Sequence, residues 1–460
     1  MNNKINEAIK VVPTKRQLNW QQLEFIGFIH FGINTFNDAE WGTGNEDISI
    51  FNPSELDAEQ WVKALQSAGM KGLILTCKHH DGFCLWPSQY TNHTVSNTPY
   101  KNGKGDIVKE VSEACKKYGM KFGVYLSPWD MTDERYGTGK EYNDFFVNQL
   151  EELLTKYGEI FEVWFDGANG EGPNGKVQEY DWPRYYELIR KLQPNAVIAI
   201  MGPDVRWVGN EAGKVRENEW SVVPTMYSDP NYTANNSQKV DDGQFALKFE
   251  LEDEDLGSRE VIEKFDGNLI WYPAETDVSI RPGWFYHENE DDKVKTSEEL
   301  FDIYKNSVGG NSLLLLNIPP NKKGLIANAD LNELRLLGEK INQLNTDIEL
   351  NYTLEVGEDI SFNGINSNTN VQSSEMIVNF EKELSLNYLI IQEDITKSQR
   401  IEDLTIELID QDNNIYKKNI GTVGYKKIVD FENERKVKKI IIRINKYRGE
   451  KTYISTLKFV

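Results

Sequence analysis

Along the first 200 residues, short unbroken apolar runs alternate with apolar residues at helical spacing. Residues 27–33 (GFIHFGI) form one run; Asp57 then stands as an N-cap before Ala58, Trp61, Val62, Leu65 and Ala68, and Gly69 is the stop. Residues 72–80 (GLILTCKHH) form the next run. Continuous rather than alternating apolarity marks a strand covered on both faces. The unit repeats: Asp106 caps a helix carrying Val108, Val111, Cys115 and Tyr118, Gly119 stops it, and 121–127 is a strand. Phe145, Phe146, Leu150, Leu153, Leu154 and Tyr157 predict another helix ahead of Gly158 and the strand at 161–165. Pro183 opens a helix through 185–192, and 196–200 is a further strand. Strand, helix and glycine repeated without a hairpin signal mean parallel βα units with right-handed crossovers. No GxGxxG or P-loop follows any strand, so the pattern predicts an α/β fold, a (β/α)8-like (TIM-type) barrel, rather than a nucleotide-binding doubly wound sheet.

From about residue 202 to 283 the alternation gives way to long polar segments, and loops of that length in a compact domain are usually functional. Apolar runs at 269–272 and 312–316 predict the late barrel strands, with a helix at 298–307 between them and a closing helix at 330–344. Past residue 351 the texture changes to short β-rich runs, 386–391, 404–408 and 439–444, with a turn at 410–414. That texture predicts an all-β sandwich. The expected domains are a catalytic barrel over 1–347 and a C-terminal β-sandwich over 348–460.

Length agrees with two units, because 460 residues exceed the roughly 250–300 at which single cores stop growing. Lys and Arg number 51 against 73 Asp and Glu, a net charge of −22 that argues against nucleic-acid or anionic-membrane partners. Cys77, Cys84 and Cys115 form no CxxC pair, so they are expected as buried thiols. The N-terminus lacks the apolar core of a signal peptide and no run approaches a membrane span. A cytoplasmic location is expected for the chain as it stands, or a secreted or periplasmic one if a leader has been removed. Oligomeric state is left open.

The chemistry-bearing residues collect at predicted strand ends. FEVWFDGA at 161–168 puts Asp166 at a strand's C-terminal mouth, where α/β folds keep their chemistry. There it can serve as nucleophile, base or metal ligand. The chain has only five histidines, and His30, His79 and His80 also fall at strand mouths, as does Tyr125. Adjacent His79 and His80 are expected to point to opposite sides of their strand, and no HxH or HExxH spacing occurs, which argues against a metal site. The absence of a GxSxG elbow argues against a serine hydrolase. Imidazoles that hydrogen-bond a polyol fit better. Trp86 is open between a core role and a site role.

HFG at 30–32, EW at 40–41, KHHDGF at 78–83, VWFDG at 163–167 and GNEAG at 209–213 occur in this order, and over roughly residues 20–345 the chain resembles the α-L-fucosidases of glycoside hydrolase family 29. The GNEAG and SIRPGWFYH stretches, with QEDI at 392–395 and SQR at 398–400, are similar to the subgroup acting on α-1,3/1,4-linked fucose of branched, Lewis-type glycans. The resemblance implies a retaining exo-hydrolase without cofactor or metal, with Asp166 as nucleophile and Glu211 as acid/base. It implies that His30, His79, His80, Tyr125 and Trp164 line the fucose pocket, that Trp284 lies near the sugar methyl, and that Glu40, Trp41 and Asp229 contact the next sugar. Many members carry Thr where this chain has Asn218. The chemistry is coherent with two carboxyls, about 5–5.5 Å apart when one attacks covalently. Glu211 is expected on a moving loop, near Trp207 and Trp220, and Glu217 and Glu219 compete with it for the acid/base role. Other readings are a broad-specificity, α-1,2-active α-L-fucosidase, an inactive fucose-binding protein and an inverting glycosidase.

Overall fold

A computed structural model describes residues 3–238, 240, 241, 247, 255–346, 349–365, 367, 368 and 371–460. Among the described residues, ten strands precede residue 350: β1 (Phe25–Ile29), β2 (Gly72–Lys78), β3 (Lys121–Leu126), β4 (Glu162–Phe165), β5 (Val197–Ile200), β6 (Arg206–Trp207), β7 (Val222–Pro224), β8 (Leu269–Trp271), β9 (Ala274–Ser279) and β10 (Ser312–Asn317). Eight of them form one parallel sheet in the order β5-β4-β3-β2-β1-β10-β9-β6. This is the expected TIM-type barrel, nearly closed. Asp204 fills the gap between the edge strands β5 and β6: its carboxylate accepts the Ile198 amide (2.9 Å) and pairs with Arg16 (3.2 Å) and with Arg190.

The unbroken apolar strands divide by their period of two. Ile26 and Phe28 of β1, Ile74 of β2, Tyr125 of β3, Trp164 of β4, Val197 and Ala199 of β5, and Leu313 and Leu315 of β10 fill the barrel interior with Trp20. Their neighbours, including Leu73, Leu75, Val124, Val163, Ile198 and Leu314, pack outward against the helices. The helices themselves follow from caps and spacing: Asp57 caps Ala58–Ser67, Asp106 caps Ile107–Tyr118 with Gly119 left-handed at its end, and Pro183 sits in the first turn of Trp182–Leu192. Trp86 is core, fully buried, with its indole N–H given to Glu152 at 2.8 Å.

Two late strands differ from expectation. The apolar run at 269–272 is not in the barrel: β8 pairs antiparallel with β7 outside it. The barrel strand is the adjoining β9, whose sequence, AETDVS, is polar at four of its six positions but wholly buried. Its polar side chains each find a partner: Glu275 accepts the Trp164 indole (2.7 Å), Asp277 the Trp207 indole (2.8 Å), and Thr276 shares a hydrogen bond with Ser312 (2.7 Å). Burial with partners, rather than apolarity, is what this strand needed.

The C-terminal strands are β11 (Tyr352–Val356), β12 (Ile360–Phe362), β13 (Glu375–Glu393), β14 (Ile401–Ile409), β15 (Ile415–Ile420), β16 (Lys427–Tyr447) and β17 (Thr452–Phe459). The long strands β13 and β16 run antiparallel with register shifts between Asn379 and Leu384 and between Leu386 and Tyr388. On one side of the shifts β11, β14 and β15 extend the sheet; on the other β17 and β12 do. The two halves enclose one apolar cluster that includes Val378, Leu389, Ile406, Ile440 and Phe459, the expected sandwich. The expected domain boundary at 347 and 348 lies outside the described residues, as does much of the polar segment at 239–254. No helix among the described residues is long and apolar enough to cross a membrane.

Candidate active site

The inward register, carried toward the C-terminal ends of the strands, leads to a cavity of about 550 Å³, counting its open mouth. Phe28 leads to His30, Tyr125 to Ser127, Trp164 to Asp166, Leu315 to Asn317 and Glu275 to Asp277. In β2 a bulge at Cys77 changes the alternation, since Thr76 pairs with Tyr125 and Lys78 with the next residue, Leu126. Lys78 therefore faces the helix layer, where its amine meets Asp130 (2.9 Å) and Gln149 (3.0 Å). His79 and His80, expected on opposite sides of a strand, both line the cavity because the strand has ended before them; their rings lie 4.1 Å apart.

Asp166 is held at both oxygens. Its Oδ1 accepts the Ala168 amide at 2.7 Å and its Oδ2 the Tyr125 hydroxyl at 2.9 Å. Tyr125 is itself fixed between rings, stacked on Trp164 (5.3 Å) and on His79 (5.7 Å). His80 Nε2 stands 3.9 Å from Asp166 Oδ2. The Ser127 hydroxyl gives its single hydrogen to the Trp129 carbonyl (2.7 Å), so it must accept from His80 Nδ1–H (2.7 Å). A neutral His80 thus keeps its Nε2 lone pair toward the cavity.

His30 is assigned in the same way. The Asn317 amide nitrogen donates to Ser279 Oγ (2.9 Å) and the Trp284 carbonyl (2.8 Å), which turns Asn317 Oδ1 to accept from His30 Nδ1–H (2.8 Å). Burial lowers the pKa of all three cavity histidines, that of His30 to about 3, so they are neutral near pH 7. Among the described residues no group of three or more His, Cys, Asp or Glu side chains converges as metal ligands would.

Glu211 reaches the cavity from GNEAG at 209–213, and neither Glu217 nor Glu219 lines it. The segment is stapled rather than loose. Asn210 Oδ1 accepts the amides of Ala212 (2.9 Å) and Lys214 (3.3 Å), its Nδ2 donates to the Lys214 carbonyl (2.9 Å), and Ala212 bridges to Val278 of β9. Gly213 has φ +71° against Ile303, a conformation and a contact that a Cβ would disturb. Beside Glu211, burial pushes the Asp277 carboxyl up from its usual range and the Glu211 charge pushes it further. Sequence reasoning did not single out Asp277, since it lies in the polar strand β9.

Trp41 and Trp284 line the cavity as well; Glu40 and Asp229 do not. Glu40 instead accepts the amides of Trp284 (2.9 Å) and Phe285 (3.2 Å) and His287 Nε2 (2.8 Å), and so shapes the loop that presents Trp284. Burial raises the Glu40 carboxyl and these donors oppose the rise; with three donors aimed at it, Glu40 is the charged partner of a His287 imidazolium whose pKa is raised to about 9. Asp229 is exposed and caps the helix Pro230–Asn236 through the Asn231 amide (2.9 Å), which accounts for its carboxylate.

Comparison with known proteins gives the family. The family profile "Alpha-L-fucosidase" matches residues 14–345. Alpha-L-fucosidase 1 of Arabidopsis thaliana is 38% identical over 459 aligned residues, covering 95% of this chain and 85% of the plant protein. A glycoside hydrolase 29 family member from an unknown rumen bacterium superposes with a TM-score of 0.81 at 36% identity, covering 98% of this chain and 77% of that one. A family 29 fucosidase of Ruminococcus gnavus, crystallised in complex with fucose, superposes with a TM-score of 0.81 at 32% identity, covering 98% and 95% of the two chains. With a TIM-type barrel, a β-sandwich and a carboxylate-bearing cavity at the strand ends, the chain belongs to the α-L-fucosidases of glycoside hydrolase family 29, retaining glycoside hydrolases.

Proposed function

We propose that the chain is an exo-α-L-fucosidase acting on α-1,3/1,4-linked fucose of branched, Lewis-type glycans, with Asp166 as nucleophile and Glu211 as acid/base. One observation carries the reading: two carboxyls from different elements, Asp166 after β4 and Glu211 from the stapled segment after β6, line one cavity at the C-terminal ends of the barrel strands. An Asp166 oxygen attacks the anomeric carbon as Glu211 gives its proton to the departing glycosidic oxygen. Glu211, now a carboxylate, takes a proton from water, whose oxygen attacks the same carbon and releases Asp166. Two inversions give net retention.

Fucose needs partners for three hydroxyls and an apolar wall for its methyl. The lone pairs left on His30 and His80 supply acceptors, and Phe28, Trp164 and Trp284 supply the wall. A cavity closed below by the barrel core suits removal of a terminal sugar. Glu40 holds the loop that presents Trp284 to the cavity.

Glu211→Gln keeps size and removes the donated proton. It is expected to lower kcat/KM by about 100-fold or more on a fucosylated oligosaccharide and far less on an activated aryl fucoside; equal losses on both would contradict the assignment. For linkage, fucose release is compared between a Lewis trisaccharide and 2′-fucosyllactose. Preference for the branched glycan is expected, and the reverse order would remove the α-1,3/1,4 assignment.

A further inference from the structure

The sandwich domain reaches into the segment that carries Glu211. Gln399, fully buried two residues before β14, accepts the Ser221 amide on its Oε1 (2.8 Å) and donates from Nε2 to the Glu219 carbonyl (3.1 Å) and to Thr422 Oγ1 (2.7 Å). Asn311, just before β10, donates to the same Glu219 carbonyl (2.8 Å) and accepts the Tyr425 amide (2.7 Å). Asn218 accepts the Thr422 amide (3.0 Å), a further contact between the two domains. Arg448, ahead of β17, stacks on Trp220 at 3.7 Å and donates to the Gly257 carbonyl (2.6 Å).

The segment fixed in this way is itself a clamp. The Glu219 carboxylate pairs with Arg206 of β6 and with Arg216 (3.2 Å), and Arg216 also donates to the Val208 carbonyl (2.9 Å). Burial works to raise the Glu219 carboxyl, and the two guanidinium groups outweigh it and hold it charged. Val208 and Glu219 bracket 209–218, so one buried carboxylate ties both ends of the stretch holding Glu211, and Gln399 anchors that carboxylate's backbone from the other domain.

We infer that Gln399 of the sandwich domain is a positioning residue for Glu211, acting through Glu219, Arg216 and the Val208 carbonyl. The inference rests on Glu211 as the acid/base. Among the described residues, none of the hydrogen-bond partners of Gln399 (Ser221, Glu219, Thr422 and Asn311) lines the cavity, so its effect is carried by the segment. Proton donation to the leaving oxygen is sensitive to displacements of about 1 Å, which cost up to about 100-fold. Departure of an activated phenol needs little such help.

The test measures kcat/KM for Gln399→Ala and the milder Thr422→Val in the full chain, on a fucosylated oligosaccharide and on an activated aryl fucoside. Ile406→Val in the sandwich core serves as a control for lost stability alone. Gln399→Ala is expected to lose about 10- to 100-fold on the oligosaccharide and less than about 3-fold on the aryl fucoside, with Thr422→Val showing the same pattern more weakly and Ile406→Val showing none. In a Glu211→Gln background Gln399→Ala should add almost nothing on the oligosaccharide, because both changes remove one function. Equal losses on the two substrates, no loss on either, or full additivity with Glu211→Gln would overturn the inference while leaving Glu211 in place. Should Gln399→Ala not fold, Thr422→Val decides on the same criteria. If Glu211→Gln itself fails to discriminate between the substrates, the acid/base reading falls and the positioning role falls with it.

Discussion

Tyr125 shows how one side chain joins fold and chemistry. Its ring is part of the barrel's inner packing, and its hydroxyl donates to Asp166 Oδ2 at 2.9 Å, fixing the carboxylate the mechanism needs aligned. Tyr125→Phe preserves the stacking and removes only that bond, so a loss of about 10-fold in kcat is expected with the melting temperature nearly unchanged; unchanged kcat would mean the bond does not orient the carboxylate. Lys78 is the converse case, a buried charge with a structural task. Its ammonium pairs with Asp130, both nearly inaccessible, and Asp130 also holds the amides of Thr132 (3.0 Å) and Asp133 (2.9 Å). Lys78→Met would leave that carboxylate buried without its cation, at a cost of about 3–5 kcal/mol readable from the urea midpoint.

Among the elements, the loop carrying Trp284 has a built-in pH dependence. His287 is held charged by Glu40 and Asp38, with a folded pKa of about 9 against 6.5 for the free ring. The folded value is the higher one, so the contribution to stability is complete below about pH 6.5 and is lost as pH rises through about 9. The difference in Tm between wild type and His287→Ala should shrink steadily between about pH 6 and pH 10. A constant difference would contradict the charged pairing. The same scale shows what could be read in advance. Strands covered on both faces, caps at Asp57 and Asp106 and the stop at Gly119 were legible because apolarity and capping are local. Strand β9 was not, because Glu275, Thr276 and Asp277 are polar residues whose partners lie on other strands, while the apolar run beside it became β8 outside the barrel. The bulge at Cys77, which brings His79 to the cavity, left no mark in the apolar pattern. Nor did the tie of Asn210 that makes the Glu211 segment firm, since it depends on which amides its side chain meets. Asp229, grouped with the binding residues on motif position, sits outside the cavity as a helix cap.

For the whole molecule, barrel and sandwich share more than a linker. Ile390 and Ile428 of the sandwich belong to the same apolar cluster as the barrel's outer layer, and Lys426 pairs with Glu24 at 2.7 Å. A contiguous apolar interface with buried polar ties predicts one cooperative unfolding transition by calorimetry, and two resolved transitions would contradict it. The proposed double displacement requires Asp166 to form a bond to the sugar. Asp166→Ala is expected to lose turnover of an activated aryl fucoside by several orders of magnitude, since the covalent intermediate cannot form. Added azide fits the space vacated by the carboxylate, and the expected result is recovered turnover with β-fucosyl azide as product. A variant with undiminished turnover, or one rescued to give the α-azide, would contradict Asp166 as the nucleophile.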